Sequence, residues 1–77
     1  MLKPGGILSL QSHKYRSEHW IIVEGKAKVT IGNSIKYFSK GESVFIPVSI
    51  KHRLENDQVI PIFLIEIQTG TYFGEDD

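Results

Sequence analysis

Apolar and polar residues alternate along most of the chain, and turn residues interrupt the alternation about every eight to twelve positions. The alternating segments read, in order, ILSLQSH, EHWIIVE, AKVTI, IKYFS, SVFIP, KHRLEN and IPIFLIEIQ. Glycine, asparagine and lysine-glycine turns separate them, and no segment carries the period of an amphipathic helix. The pattern therefore predicts an all-β fold, a sandwich or barrel of about seven or eight strands.

The first strand and the turn after it collect polar side chains. On a strand, alternate residues point to the same side, so Gln11 and His13 share a face. A hairpin over residues 14–17 would bring Glu18 back opposite them, with Trp20 on the same face as Glu18. Imidazole, amide and carboxylate groups together form a set of ligands for a divalent metal. The opening stretch therefore predicts half of a metal site.

Composition narrows the class of protein. A chain of 77 residues makes a single domain, residues 1–77. Such a chain buries only roughly 60–65% of its unfolded surface, so a metal or a partner subunit is expected to support the core. There are no cysteines, so any metal is held by nitrogen or oxygen ligands. The N-terminus lacks a secretory pattern, which makes a cytoplasmic protein the default expectation.

Charge and hydropathy argue against two kinds of partner. Nine basic residues balance nine acidic ones, so we expect no nucleic-acid partner. The longest apolar run, VIPIFLIEIQ, is interrupted by Pro61 and Glu66 and is shorter than the about 20 residues that cross a bilayer. We therefore expect no membrane partner. The acidic end, EDD, is expected to be solvated.

Two spaced sets of residues follow one another along the chain. The first set is Gly5, Gln11, His13, Glu18 and Gly25, and the second is Gly41, Pro47, Ser49, His52 and Asn56. Their spacings resemble the two sequence motifs of the cupin superfamily. Gln11 stands in place of the first motif histidine, and Ser49 in place of a glycine. The resemblance implies a small antiparallel cupin-type β-barrel, also described as a double-stranded β-helix or jelly roll.

Longer segments resemble a narrower family. GGILSLQSHKYRSEHW, ESVFIP, HRLEN and IEIQTGTYFGEDD are similar to the C-terminal cupin domain of type II mannose-6-phosphate isomerases, which are usually fused to a mannose-1-phosphate guanylyltransferase. The resemblance implies metal ligation by Gln11, His13, Glu18 and His52. Zinc is the first expectation, and manganese, cobalt, iron or nickel also suit such ligands. The family's nucleotide-binding loop is absent, so we expect no nucleotidyltransferase activity from this chain.

The last long strand carries a candidate general base. Leu64, Glu66 and Gln68 share one face, and Phe63, Ile65 and Ile67 share the other. If the apolar set packs between sheets, Glu66 faces into the barrel, where it could move a proton. A solvated strand residue is the alternative. His19 is a second catalytic candidate, although alternation turns it away from Glu18.

Basic and aromatic residues near the first turn are candidates for substrate binding. Arg16 is the best candidate for gripping a phosphate, because a guanidinium binds phosphate through two parallel hydrogen bonds. Lys14 lies beside it. A surface turn position is the alternative for Arg16. Trp20 could stack on a sugar or fill the barrel.

Three functions remain open at this stage. The first is metal-dependent interconversion of mannose 6-phosphate and fructose 6-phosphate. The second is a stand-alone cupin that binds a sugar or sugar nucleotide without turnover. The third is a domain that is inert without the rest of a larger enzyme. A homodimer is expected in addition, because the outer faces of ILSL and FLIEI are too apolar to remain in water.

Overall fold

The structure, a computed structural model, describes residues 1–70, apart from the side chains of residues 9–11. Its strands are β1 (Ile7–Gln11), β2 (Arg16–Glu24), β3 (Lys26–Ile31), β4 (Ser34–Ser39), β5 (Ser43–Ile46), β6 (His52–Glu55) and β7 (Phe63–Gly70). The described residues form no helix, and so none that could cross a membrane. The all-β prediction and its strand number are confirmed. The acidic end lies outside the described residues.

The strands form two antiparallel sheets that face each other. The larger sheet has the order β1-β6-β3-β4, and the smaller has the order β5-β2-β7. Strands that follow one another in sequence often lie in different sheets, which is typical of a jelly roll. The predicted small antiparallel β-barrel is therefore the observed architecture.

The core fills the space between the two sheets. In β3, Ala27 and Val29 are buried while Lys26 stays exposed, so the alternation in the sequence matches the two sides of the sheet. Burying each large aliphatic side chain contributes about 1.5–3 kcal/mol. The buried hydrophobic residues come from both sheets and from the segment before β7: Trp20, Ile22, Ala27, Val29, Val44, Ile46, Leu54 and Ile62.

The hairpin predicted over residues 14–17 is wrong. β1 pairs with β6, whereas β2 pairs with β5 on one side and β7 on the other. Both edges of β2 are therefore occupied, and residues 12–15 carry the chain from the larger sheet to the smaller one. Glu18 still meets the residues after β1, because the two sheets face each other across the core. Alternation in a sequence reports the face of a strand but not its partner.

A bulge interrupts β1. Leu8 pairs with Leu54, and Gln11 pairs with His52, so three steps along β1 match two steps along β6. One extra residue in a strand bends it and shifts the alternation of its faces. The prediction that alternate residues from Ile7 through His13 share one face is therefore not valid beyond the bulge. It is this bulge that lets both Leu8 and His13 reach the cavity described below.

Asn56 ties the N-terminal segment to the loop before β7. Its side chain is fully buried, and its Nδ2 donates to the carbonyl oxygens of Leu2 (3.0 Å) and Ile60 (2.8 Å). Its Oδ1 accepts a hydrogen bond from the backbone N–H of Gln58 at 3.0 Å. A buried amide with all these bonds made is stable, whereas losing one would leave a buried polar group unsatisfied. Asn56 therefore has a structural role in this chain.

Candidate metal centre

Glu18 lies on the inward face of β2 and is the buried carboxylate of the site, only 5% exposed. Two residues on, Trp20 points the same way, and its indole Nε1–H donates to Oε1 of Glu18 at 3.3 Å. This bond occupies one carboxylate oxygen and fixes the plane of the group. The other oxygen, Oε2, remains directed at the opposite sheet.

Two imidazoles from the opposite side converge on that oxygen. The Nε2 atom of His52 lies 3.1 Å from Oε2 of Glu18, and the Nε2 atom of His13 lies 3.4 Å from it. Both histidines are well covered, with side chains 4% and 12% exposed respectively. One donor atom from each of the three residues lies within 4.8 Å of the other two. The arrangement is compact enough for one ion to contact all three.

The backbone fixes which nitrogen of His52 faces the cluster. Its Nδ1 lies 3.0 Å from the carbonyl oxygen of Ile50, an acceptor, so Nδ1 carries the hydrogen and donates it. In the neutral ring, Nε2 then presents its lone pair toward Glu18. A metal-ligating histidine commonly has its second nitrogen held in this way. The edge of the ring also packs against Trp20, with centroids 5.6 Å apart.

A tight turn joins the two halves of the site. The backbone N–H of Ser49 donates to the carbonyl oxygen of His13 at 2.6 Å, three residues before His52. Ser49 has a φ of 65°, in the left-handed region that favours glycine. The sequence motif has a glycine at this position for a physical reason, and Ser49 adopts the same backbone conformation despite its side chain.

Charge in the cluster is strongly coupled. The hydrogen bond from His52 holds the pKa of Glu18 below its ordinary value, against the opposing effect of burial and with further help from Trp20. Burial alone would lower the pKa of His52, but its bonds to Glu18 and to the Ile50 carbonyl outweigh burial and raise it. A buried carboxylate between two imidazoles thus requires a positive charge, supplied either by a proton or by a cation.

A cavity of about 150 Å³ opens beside the cluster. Arg16 from β2 and Glu66 and Gln68 from β7 line it together with the two histidines and Glu18. Burial, followed by the negative charge of Glu18, raises the pKa of Glu66, and His52 partly offsets the rise. Glu66 remains an exposed residue that lines the cavity, so its carboxyl group is open both to water and to the cluster.

Glu66 faces into the barrel, as predicted. The condition attached to that prediction, that the alternate apolar residues of β7 pack between the sheets, is wrong. Glu66 pairs with Trp20 across the antiparallel strands, and directly paired residues share a face. The alternate apolar set, Phe63, Ile65 and Ile67, is 44–52% exposed and lies on the outside of the sheet. The barrel interior near β7 is thus partly polar, because the cavity rather than the core occupies that end.

The other candidate residues take different places. His19 lies on the outer face of the smaller sheet, paired with Phe45 and Ile67, and faces away from the cluster as alternation predicts, so its catalytic role stays an untested prediction. Lys14 is exposed in the crossing segment and is not among the described residues that line the cavity. The side chain of Gln11 lies outside the described part of the structure, so its ligand role stays a prediction.

Sequence reasoning allowed Trp20 to fill the barrel but missed its hydrogen bond to Glu18, and it missed Gln68 as a cavity residue. Trp20 is 3% exposed and belongs to the core, so it fills the barrel and orients Glu18 rather than presenting a free face to a sugar. Gln68 lines the cavity two residues beyond Glu66, and the shared face was the signal that could have identified it. Its amide offers a donor and an acceptor beside Glu18, its partner across β2 and β7.

The donor set fits a divalent metal. Two imidazole nitrogens and one carboxylate oxygen, with the histidine and the carboxylate each oriented by a second hydrogen bond, match a mixed nitrogen and oxygen site. The fold and this cluster together define the chain as a cupin with a buried His/Glu/His group. Solved cupin-fold structures support the class.

Two of these structures illustrate the likeness of fold. A sugar phosphate isomerase of the cupin superfamily from Silicibacter pomeroyi superposes with a TM-score of 0.80 at 21% identity, over 96% of this chain and 52% of that one. A predicted oxalate decarboxylase from Thermotoga maritima superposes with a TM-score of 0.86 at 18% identity, over 91% and 61% of the two chains. At these identities the likeness concerns the fold alone.

The sequence places the chain within one family of cupins. Residues 1–77 match the family described as mannose-6-phosphate isomerase C-terminal, and the chain belongs to that family. It is 53% identical over 99% of its length to a mannose-1-phosphate guanylyltransferase from Salmonella montevideo. It is 49% identical over the same share to the xanthan biosynthesis protein XanB from Xanthomonas campestris. The chain spans 16% of the length of each of these relatives.

Proposed function

We propose that this domain isomerises a sugar phosphate with the help of a divalent metal, interconverting mannose 6-phosphate and fructose 6-phosphate. The observation that carries the proposal is the convergence of His13, Glu18 and His52 on one point of a cavity whose wall also holds Glu66. Membership of the mannose-6-phosphate isomerase C-terminal family supports the choice of substrate pair. The relatives' guanylyltransferase names describe much longer proteins, so this chain's activity is argued from its own site.

The reaction needs one proton to move between two neighbouring carbons. In the open-chain aldose, a base removes the proton on C2, the C1 carbonyl oxygen gains a proton, and an enediol forms. Loss of the O2 proton and return of a proton to C1 then give the ketose, so no atom is gained or lost overall. In this proposal Glu66, which lines the cavity, takes the C2 proton and delivers it to C1. Its raised pKa suits a group that must both accept and release a proton.

The remaining residues bind and orient. A divalent metal, when bound, supplies Lewis-acid polarisation of the carbonyl oxygen. His13, Glu18 and His52 would hold it, and Trp20 fixes the carboxylate by its bond to Oε1. Arg16 lines the same cavity, where its guanidinium can bind the substrate phosphate through two parallel bonds. Zinc is the first choice of metal for this donor set.

Turnover of mannose 6-phosphate by the zinc-loaded protein tests the proposal. Glu66→Gln should lower kcat by about 10²–10⁴-fold while leaving the metal content unchanged, because it removes the base but none of the three ligands. Glu55→Gln is the matched control, since Glu55 lies on a strand of the other sheet and pairs with Lys28 on its outer face. Its activity should equal that of the unmodified protein.

Two results would overturn the proposal. Metal-loaded protein that turns over neither sugar phosphate excludes the isomerase. In that case, a rise in melting temperature with mannose 6-phosphate would favour the binding module, and no rise would favour the inert domain. A Glu66→Gln variant with full activity would remove Glu66 as the base.

A further inference from the structure

A further cavity lies at the seam between the two sheets. β4 is an edge strand of the larger sheet and β5 an edge strand of the smaller one, and residues 40–42 connect them. Between these two edges the sandwich leaves a space of about 240 Å³, which we call the seam cavity. Its lining residues are Val29, Ile31, Ser34, Lys36, Phe38 and Val44.

The walls of the seam cavity are apolar because they belong to the hydrophobic core. Val29 and Val44 are 1% and 7% exposed. Ile31 and Phe38 are half-buried and pack against the core cluster. A cavity of about 150 Å³ lined by such residues accommodates a benzene ring. The seam cavity, at about 240 Å³, therefore has room for a ring and a short side chain.

The seam cavity is separate from the metal centre. No described residue lines both this cavity and the one beside the cluster. Leu54 and Trp20 line the cavity beside the cluster, and their strand partners Val29 and Val44 line the seam cavity. Because directly paired residues share a face of the sheet, a layer of core side chains stands between the two spaces. A ligand in the seam cavity therefore need not contact the metal cluster.

Lys36 brings a positive charge to the inner face of β4. It pairs with Val29, so its side chain starts from the core side of the larger sheet. Ser34 shares this face and lines the same cavity, and both residues are exposed, so they stand at its mouth. Within residues 1–70, apart from the side chains of residues 9–11, no carboxylate forms an ion pair with Lys36. An ammonium and a hydroxyl beside an apolar space suit a carboxylate on an apolar body.

We propose that the seam cavity binds a small aromatic monocarboxylate. The ring lies against the buried walls, and the carboxylate accepts hydrogen bonds from Lys36 and Ser34. Phe38 offers an aromatic partner for edge-to-face packing, which favours a ring over an aliphatic chain. A lysine that faces inward from an edge strand also discourages the addition of a strand from another chain, and this is the alternative role for Lys36.

Titration followed by proton–nitrogen correlation NMR tests the site, with 3-phenylpropanoate as the probe. We expect shifts at the amides of Val29, Ile31 and Val44, with a dissociation constant on the order of 0.1–1 mM. The alcohol 3-phenylpropanol has the same ring without the charge and should bind about tenfold more weakly. This comparison uses the unmodified protein, so it stands even if a variant fails to fold.

Two variants separate the charge at the mouth from the charge of the sheet as a whole. Lys36→Met keeps an unbranched side chain without the ammonium, so it should bind the acid about tenfold more weakly and no longer prefer it to the alcohol. Lys28→Met is the matched control, because Lys28 lies on β3 of the same sheet and pairs with Tyr37 on the outer face. It should bind the acid as the unmodified protein does.

Three results would overturn the proposal. The first is an absence of shifts up to about 10 mM acid, about ten times the weakest expected dissociation constant. The second is a Lys36→Met variant that binds the acid undiminished, which would leave Lys36 only its protection of the edge. The third is a set of shifts confined to His13, Glu18 and His52, which would put the acid at the metal cluster. The titration requires neither metal nor turnover, so its outcome is independent of the isomerase proposal.

Discussion

At the scale of single residues, the two oxygens of Glu18 have separate tasks. Oε1 accepts the indole hydrogen bond of Trp20, and Oε2 lies between the Nε2 atoms of His13 and His52. A carboxylate held at one oxygen loses little freedom when the other binds a cation. The orientation of Glu18 within the cluster thus depends on Trp20, a core residue that need not contact a metal itself.

Trp20→Phe tests that dependence. Phenylalanine keeps an aromatic ring in the core but lacks the N–H donor, so Glu18 loses its anchor. Metal affinity should fall by about 10–100-fold, as is usual when a partner of a metal ligand is removed. Titration against a competing chelator measures the change. Ile22→Val, a buried truncation farther along β2, controls for loosened packing and should leave the affinity within about threefold; an unchanged affinity in Trp20→Phe would contradict the anchoring role.

The site residues differ in how well the sequence identifies them. The spacing of His13, Glu18 and His52 within two motifs was enough to predict that these three side chains lie together, because motif spacing reflects a fixed chain path between them. The hydrogen bond from Trp20 to Glu18 could not be predicted from the sequence, since a tryptophan that only fills the core would occupy the same position in the pattern. His19 illustrates the opposite case: strand alternation alone turned it outward, and the structure agrees.

At the scale of elements, alternation identified every strand but not the pairing between strands. The predicted hairpin failed because β1 and β2 are neighbours in sequence and lie in different sheets. Which edge a strand occupies depends on contacts between residues far apart in the chain, and periodicity holds no record of them. The bulge in β1 was equally hidden, because an extra residue changes the alternation without changing the residue types.

Ser49→Gly tests the strained turn between β5 and β6. Ser49 holds a φ of 65°, which costs a residue with a side chain about 1–2 kcal/mol, whereas glycine adopts it freely. Glycine also lowers the free energy of unfolding by roughly 0.5–1 kcal/mol, because it raises the conformational entropy of the unfolded chain. The net gain should be about 0.5–1 kcal/mol, a rise of roughly 2–8 °C in Tm. Ser49→Ala, which keeps the Cβ, should show no such gain; equal melting temperatures for the two variants would rule out backbone strain.

At the scale of the whole molecule, the charges of the site make stability depend on pH when no metal is bound. The pKa of Glu18 is lowered from 4.5, so its contribution is present above pH 4.5 and is lost as the pH falls through its folded value. The pKa of His52 is raised from 6.5, so its contribution is complete below pH 6.5 and is lost as the pH rises through its folded value. The two contributions overlap between these limits.

Metal-free protein should therefore be most stable between about pH 4.5 and 6.5, with the raised pKa of Glu66 moving the maximum toward the acidic side. Urea unfolding in excess chelator, repeated from pH 4 to pH 8, measures this. Glu18→Gln removes the partner of both histidines and should flatten the profile. A metal-free stability that rises steadily from pH 5 to pH 8 is incompatible with the charge coupling described for the cluster.

The most direct test of the account is the metal content of the purified protein after zinc reconstitution, measured by elemental analysis. The chain contains three histidines, and only two belong to the cluster, so the third provides an internal control. We predict about one metal ion per chain, retained in His19→Ala and lost in the double variant His13→Ala/His52→Ala. Absence of metal after reconstitution with zinc and with manganese, or its retention in the double variant, would contradict the metal centre.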